Sequence, residues 1–200
     1  LIAALKDKYD LTDDKFSVEA VGPTVGRDLT LNAIKSIIIA WAFILIYIWI
    51  RFELKSGVTA IIALIHDVFI MIAAAALMRT QINSPFVAAV LTIIGYSINN
   101  TIVVFDRVRE NAKRFGRKMS RAEITNASIR QTLSRSINTA LTTLFTVLAL
   151  YIFGVESIKE FTLPIIVGLL AGAYSSIFIA GPVWAVWTEQ PAAKKPAAVR

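Results

Sequence analysis

Cysteine is absent from the 200 residues, which excludes disulfide frameworks, thiol nucleophiles and cysteine metal sites together. One histidine, His66, is too few for a histidine-built metal centre. No metal and no cofactor is therefore expected. Charge is also scarce: 18% of residues carry one, where a soluble chain has about a quarter. A Walker-type phosphate loop is missing too, because Gly22-Pro23-Thr24-Val25-Gly26-Arg27 has neither the required spacing nor the lysine. The chain reads as something other than an enzyme, without an ATPase site of its own. No basic stretch followed by a small-residue cleavage site opens it, so it carries no signal-peptide pattern. From its start at Leu1 rather than Met, a fragment or one piece of a longer polypeptide is expected.

What the chain has in abundance is apolar residues, 56% of the total, with a mean hydropathy of +0.64. They are gathered into five blocks, 33–50, 58–78, 84–105, 136–153 and 161–187. Each is close to the roughly 20 residues that a helix needs to cross a bilayer. Helices that are apolar all round are what lipid requires, since every backbone polar group must be satisfied within the segment. The fold class expected is an all-α polytopic membrane protein with a transmembrane bundle over 33–187. Residues 1–32 are polar and mixed, with a helix at Leu1–Leu5 and a strand at Phe16–Val21 predicted. They are too few for a core of their own, and read as the C-terminal end of an α+β domain lying upstream.

The charges sort by side. Between the third and fourth blocks, residues 106–135 hold nine basic side chains against three acidic ones, nearly all of the net +7. The connection 51–55 and the tail 188–200 are basic as well, whereas 1–32 and 154–160 are net acidic. Lysine and arginine in short connections mark the cytoplasmic side. An odd number of spans then puts the N-terminal segment outside, and the basic loop and the tail in the cytoplasm. A nucleic-acid role for that loop is disfavoured, because it has no interleaved aromatics apart from Phe115 and it adjoins two spans. Orientation and contact with anionic headgroups of the lipid bilayer explain its charge more simply.

Ionisable and strongly polar groups inside a span are costly and usually face protein or water. His66 and Asp67 fall in the second span, about 13 Å from its cytoplasmic start at 1.5 Å per residue. A carboxylate at that depth must be paired, protonated or hydrated. Neighbours in a helix point roughly 100° apart, so the two side chains need not meet. The third span carries Ser97, Asn99, Asn100 and Thr101. The fourth opens on Arg135 and continues through Asn138, Thr139, Thr142 and Thr143, with Thr139 and Thr143 on one face behind the arginine. The threonines could equally bond back to their own helix, and Arg135 could snorkel to the headgroups. Taken together, polar faces on the second, third and fourth spans point to a hydrophilic seam of the kind a proton or ion path needs. In the last span, Gly168, Gly172, Ser175 and Ser176 are small residues at helix-packing spacing.

At this point a family likeness rests on specific residues. The run Val21-Gly22-Pro23-Thr24-Val25-Gly26-Arg27-Asp28-Leu29, then Arg51-Phe52-Glu53 and His66-Asp67-Val68, resembles the SecF branch of the SecD/SecF family of bacterial Sec-translocase subunits. So does the block from Gly95-Tyr96-Ser97-Ile98-Asn99 to Phe105-Asp106-Arg107-Val108-Arg109-Glu110-Asn111, and so does Gln131-Thr132-Leu133-Ser134-Arg135 with its threonines. The likeness covers residues 18–187. It implies half of a resistance–nodulation–division type transporter, with six helices and a large extracytoplasmic domain after the first. The five spans here would be the last five. The partners implied are SecD, on the same or a separate chain, the SecYEG channel and a translocating preprotein, all at the bacterial cytoplasmic membrane. The activity implied is use of the proton-motive force to assist export. The family pattern has Asp, the proposed proton carrier, where this chain has Asn100, and Arg135 matches the family's functional arginine. An amide cannot titrate. Asn100 therefore resembles a permanently protonated carboxyl and leaves Asp67 as the other deep carboxylate. A small-molecule exporter of the same superfamily and a passive scaffold are the competing readings.

Overall fold

The computed structural model describes residues 23–116 and 118–189, with side chains from Gly26 onward. The chain divides into two compact units, Leu1–Ile34 and Lys35–Arg200, and the core and the site below belong to the second. The helix and strand predicted at 1–5 and 16–21 lie outside the described residues. No strand occurs among those described. The helices are α1 (Pro23–Arg51), α2 (Leu54–Met78), α3 (Ser84–Phe115), α4 (Arg121–Phe153), α5 (Glu156–Ser175) and α6 (Gly181–Thr188). A π-helical turn, Ser176–Ala180, joins α5 to α6, so the last span runs from Glu156 to Thr188. Among the described residues, five helices are long and apolar enough to cross a membrane.

Two boundaries differ from the sequence reading. The first helix begins at Pro23, ten residues before the expected start, with proline at a position where its missing N–H costs nothing. The expected loop 106–135 is mostly helix. Its Arg, Lys and Glu residues are good helix formers, and with no glycine or proline before Gly116, α3 runs on to Phe115. A capping box then starts α4: the Ser120 hydroxyl accepts from the Glu123 N–H at 3.2 Å, and the Glu123 carboxylate accepts from the Ser120 N–H at 2.7 Å. At 32 and 33 residues, α3 and α4 are each about 50 Å long. That exceeds the roughly 30 Å of bilayer hydrocarbon, so the charged turns extend beyond it as a helical hairpin.

The span α5–α6 is central. It packs against α2, α3 and α4, and together with α3 it buries the largest share of its apolar stretch. Glycines permit this closeness. A Cβ on Gly168 would meet the Met71 sulfur at 2.9 Å, and one on Gly172 would meet Ser97 Cβ at 3.0 Å. At Gly168 and Gly172 the last span therefore lies against α2 and α3 with no room for a side chain. The core runs through Ala60, Leu64 and Met71 of α2, Ala89, Ile93 and Val104 of α3, Ile124 of α4 and Leu169 of α5. By contrast, α1 and α4 bury only a small share of their apolar stretches, and Phe43, Trp49, Phe145 and Phe153 are among the exposed residues.

Candidate functional site

The buried face of α2 advances through Ala60, Ala63, Leu64, Asp67, Val68 and Met71, the i, i+3, i+4, i+7 rhythm of a helix stripe. One member of that stripe is a carboxylate. Asp67 is 1% exposed, and it is the only acidic residue buried among those described. Three donors converge on it from three directions. Ser97 of α3 donates its hydroxyl to Oδ2 at 2.5 Å, and Ser175 at the end of α5 donates to the same oxygen at 2.9 Å. His66 Nδ1 lies 3.1 Å from Oδ1, and in the tautomer with the proton on Nδ1 the ring donates to the carboxylate. One carboxylate thus ties α2, α3 and α5 together at the middle of the bundle.

The surroundings hold this arrangement in place. Gly172, one turn before Ser175, lets α5 rest directly on Ser97. Ser175 is followed immediately by the π-helical turn, and such turns are rare and concentrate at functional sites. Ser176 is buried and donates back to the Ala173 carbonyl at 3.1 Å. The His66 ring is partly exposed and faces Tyr174 with centroids 6.0 Å apart.

Further along the same face of α3, Asn100 is 4% exposed and its Nδ2 has no hydrogen-bond partner among the described residues. The Ser136 hydroxyl of α4 is likewise buried and unpartnered. Closer to the charged ends of α3 and α4, Asn111 donates to Ser128 Oγ and to Gln131 Oε1, both at 2.8 Å. Gln131 Oε1 also accepts from Arg107 Nε at 2.5 Å. This second polar cluster locks α3 to α4.

The site residues expected from sequence therefore separate. Asp67 and His66 meet, although adjacent helix residues need not. Ser175 was assigned to packing alone and is a direct partner of the carboxylate. Ser97 stood out only as one of several polar residues on its span. The expected seam across the second, third and fourth spans instead joins the second, third and fifth. Arg135 is exposed and makes no side-chain hydrogen bond or ion pair among the described residues, so the expected contact with Asn100 is not made. The reason is angular. The buried face of α4 passes through Ile124, Thr125, Ser128, Thr132 and Ser136, and Arg135 is one residue, about 100°, away from it. Thr139, Thr142 and Thr143 donate to the carbonyls of Arg135, Asn138 and Thr139 at 2.9 to 3.0 Å, which is the local back-bonding that competes with any inter-helical role. The signal for Ser175 lay in the spacing of Gly168, Gly172 and Ser175, which puts its hydroxyl on the side that touches α3.

The chain is similar to known proteins over most of its length. The family described as protein export membrane protein SecD/SecF, C-terminal, matches residues 2–190. The SecF translocase subunit of Alicyclobacillus acidocaldarius is 47% identical over 177 residues, covering 85% of this chain and 56% of that protein. The SecDF subunit of Bacillus subtilis is 46% identical over 184 residues, covering 91% of this chain and 25% of that protein. The crystal structure of SecDF from Thermus thermophilus, described as a translocon-associated membrane protein, superposes with a TM-score of 0.78. It is 43% identical, over 84% of this chain and 23% of that one. The chain thus spans about half the length of the SecF relative and a quarter of the SecDF ones.

Proposed function

The chain belongs to the SecD/SecF family of protein-export membrane proteins, and from that premise we propose that it is the helical membrane part of a Sec-translocase accessory subunit. In this reading it pairs with a SecD half, on the same or another chain, and uses the proton-motive force to assist preproteins leaving through SecYEG. The basic ends of α3 and α4 and the tail are cytoplasmic, and the residues before α1 are the end of an external domain. The membrane is the bacterial cytoplasmic membrane.

The observation that carries the reading is Asp67, a carboxylate 1% exposed with donors from three helical segments. When ionised it accepts from both serines. When protonated it becomes a donor itself and satisfies them less well. Because Ser97 and Ser175 sit on different helices, gain and loss of one proton changes how strongly α3 and α5 are held to α2. Such a local charge event can bias two helix arrangements and move an attached external domain. The need for a second half is supported by α4. Arg135, Asn138, Thr142 and Thr146 are all exposed there at helical spacing. Polar groups at that depth face protein or water rather than lipid, as they would against the helices of a SecD partner.

One observation favours a second reading. Asn100 is an amide where the resemblance implies a titratable carboxyl, and its buried Nδ2 has no partner. A scaffold that assembles SecD with the channel, without carrying protons, would tolerate that. Isolation of the full-length protein from its own membranes, with cross-linking to identify what copurifies, tests the translocase reading. A SecYEG-type channel and a SecD half are expected. An outer-membrane exit channel in their place would refute it and point to a small-molecule exporter.

A further inference from the structure

At the arginine-rich end of the bundle a cavity of about 370 Å³ opens between the α1–α2 connection, the last turns of α3, the start of α4 and α6. Its walls are of two kinds. Phe52, Phe105, Val108 and Trp184 form an apolar floor, with the Phe105 and Trp184 rings 6.5 Å apart. Arg109, Lys113 and Arg121 bring three cations to it, and Glu53 brings one carboxylate. Elsewhere at this end Arg51 pairs with Asp106, and Arg107 with Glu110. Among the described residues, no ion pair is made by the three cations of the cavity. Arg109 donates one N–H to the Arg51 carbonyl at 3.1 Å, and the Arg121 guanidinium lies 5.9 Å from the centre of the Trp184 ring. Trp184 is 5% exposed, and its indole N–H has no acceptor among the described residues. A buried donor left unpaired in a folded protein calls for a reason.

We propose that this cavity binds one anionic phospholipid from the leaflet on the arginine-rich side. The phosphodiester sits among Arg109, Lys113 and Arg121, and the glycerol and first acyl carbons lie over Phe52, Phe105 and Trp184. The two kinds of wall select this occupant. A free phosphate would satisfy the cations but leave the aromatic floor wet. A zwitterionic lipid would bring its own cation against three others. An amphiphile with net negative charge meets both walls at once, and basic recesses between membrane helices on the cytoplasmic side are where such headgroups bind. The bound lipid would bridge the α1–α2 connection, α3, α4 and α6, and so tie the basic hairpin to the rest of the bundle.

The test uses the full chain in a neutral detergent freed of lipid. Thermal unfolding is followed while phosphatidylglycerol, phosphatidylcholine with the same acyl chains, or inorganic phosphate is added. Phosphatidylglycerol is expected to raise Tm saturably, and the other two are not. Arg121→Gln and Lys113→Gln should each weaken the apparent phosphatidylglycerol affinity about fivefold, whereas Arg130→Gln, outside the cavity, should leave it unchanged. An equal effect of phosphatidylcholine would reduce the contact to acyl chains. An equal effect of phosphate would make it a simple anion site, and an unaltered response in the Arg121→Gln, Lys113→Gln double variant would put the lipid elsewhere. Any one of these overturns the proposal. If a cation variant fails to fold, brominated lipids decide with the unaltered cavity, in a chain whose Trp41, Trp49 and Trp187 are replaced by Phe. Brominated phosphatidylglycerol should then quench Trp184 more than brominated phosphatidylcholine, and equal quenching refutes the site.

Discussion

Replacing Gly172 by alanine asks how closely α5 must approach α3. The new Cβ would lie 3.0 Å from Ser97 Cβ, 3.1 Å from Ser97 Oγ and 3.5 Å from Ser97 Cα. None of these atoms yields easily. Oγ is held by Asp67 at 2.5 Å, and Cα belongs to the α3 backbone. Relief therefore requires the two helices to separate by several tenths of an ångström. Overpacking of this sort costs about 1–3 kcal/mol. Exchange of glycine for alanine within a helix returns about 1 kcal/mol, so Gly172→Ala should be destabilising by about 1 kcal/mol net. Gly95→Ala on α3 is the internal control, because a Cβ there meets nothing within 4 Å. It should be neutral or stabilising. Reversible unfolding in mixed micelles, with detergent as denaturant, measures both. A difference of about 1–3 kcal/mol between the two variants is expected from the steric effect alone, and equal stabilities would refute the close approach.

Removing either hydroxyl partner of the carboxylate should be felt as well. Ser97→Ala and Ser175→Ala are each expected to cost about 1.5–3 kcal/mol, the range for hydrogen bonds to charged groups. Because both act on Asp67 Oδ2, the double variant should depart from additivity, and strict additivity in the same unfolding assay would argue against a shared acceptor. Asn111→Ala should cost about 1–2 kcal/mol, since it strips Ser128 and Gln131 of a buried donor, while Gln131 keeps Arg107. Ser120→Ala should lower stability by about 1 kcal/mol through loss of the cap. Hydrogen bonds from the Ser120 N–H and hydroxyl hold the Glu123 carboxyl, in the polar first turn of α4, below its usual range. That stabilisation is complete above the ordinary carboxylate range and is lost as pH falls through the lowered value. A pH titration of unfolding should therefore show an acid-side loss that Ser120→Ala reduces only in part, because the main-chain N–H of residue 120 still donates to the carboxylate.

Much of the architecture was legible in the residue pattern because lipid imposes a simple rule, an apolar run of fixed length for each crossing. The five spans and the small-residue face of the last one follow from that rule. The hairpin of α3 and α4 was less legible, since charge marks where a helix leaves the membrane and says nothing of where it ends. Gly116 and the Ser120/Glu123 box were the true punctuation. Asp67 was conspicuous as a carboxylate at depth. Its partners were not, because serine is so common in membrane helices that only the angular positions of Ser97 and Ser175, fixed by the approach of α5 through Gly172, distinguish them. Arg135 failed for the converse reason. Its chemistry drew attention, but its angle on α4 turns it away from Asn100.

The most direct test is proton uptake into proteoliposomes holding the full-length protein with its SecD half and the channel, driven by an imposed pH gradient. The native chain should carry a small flux. Asp67→Asn, which keeps the shape and removes the titratable group, should abolish that flux while leaving assembly intact. Asn100→Asp should raise it. A flux of full size in the native chain, unchanged by Asp67→Asn, would contradict the role given to the buried carboxylate, and no flux in any of the three chains would leave the scaffold reading standing in its place.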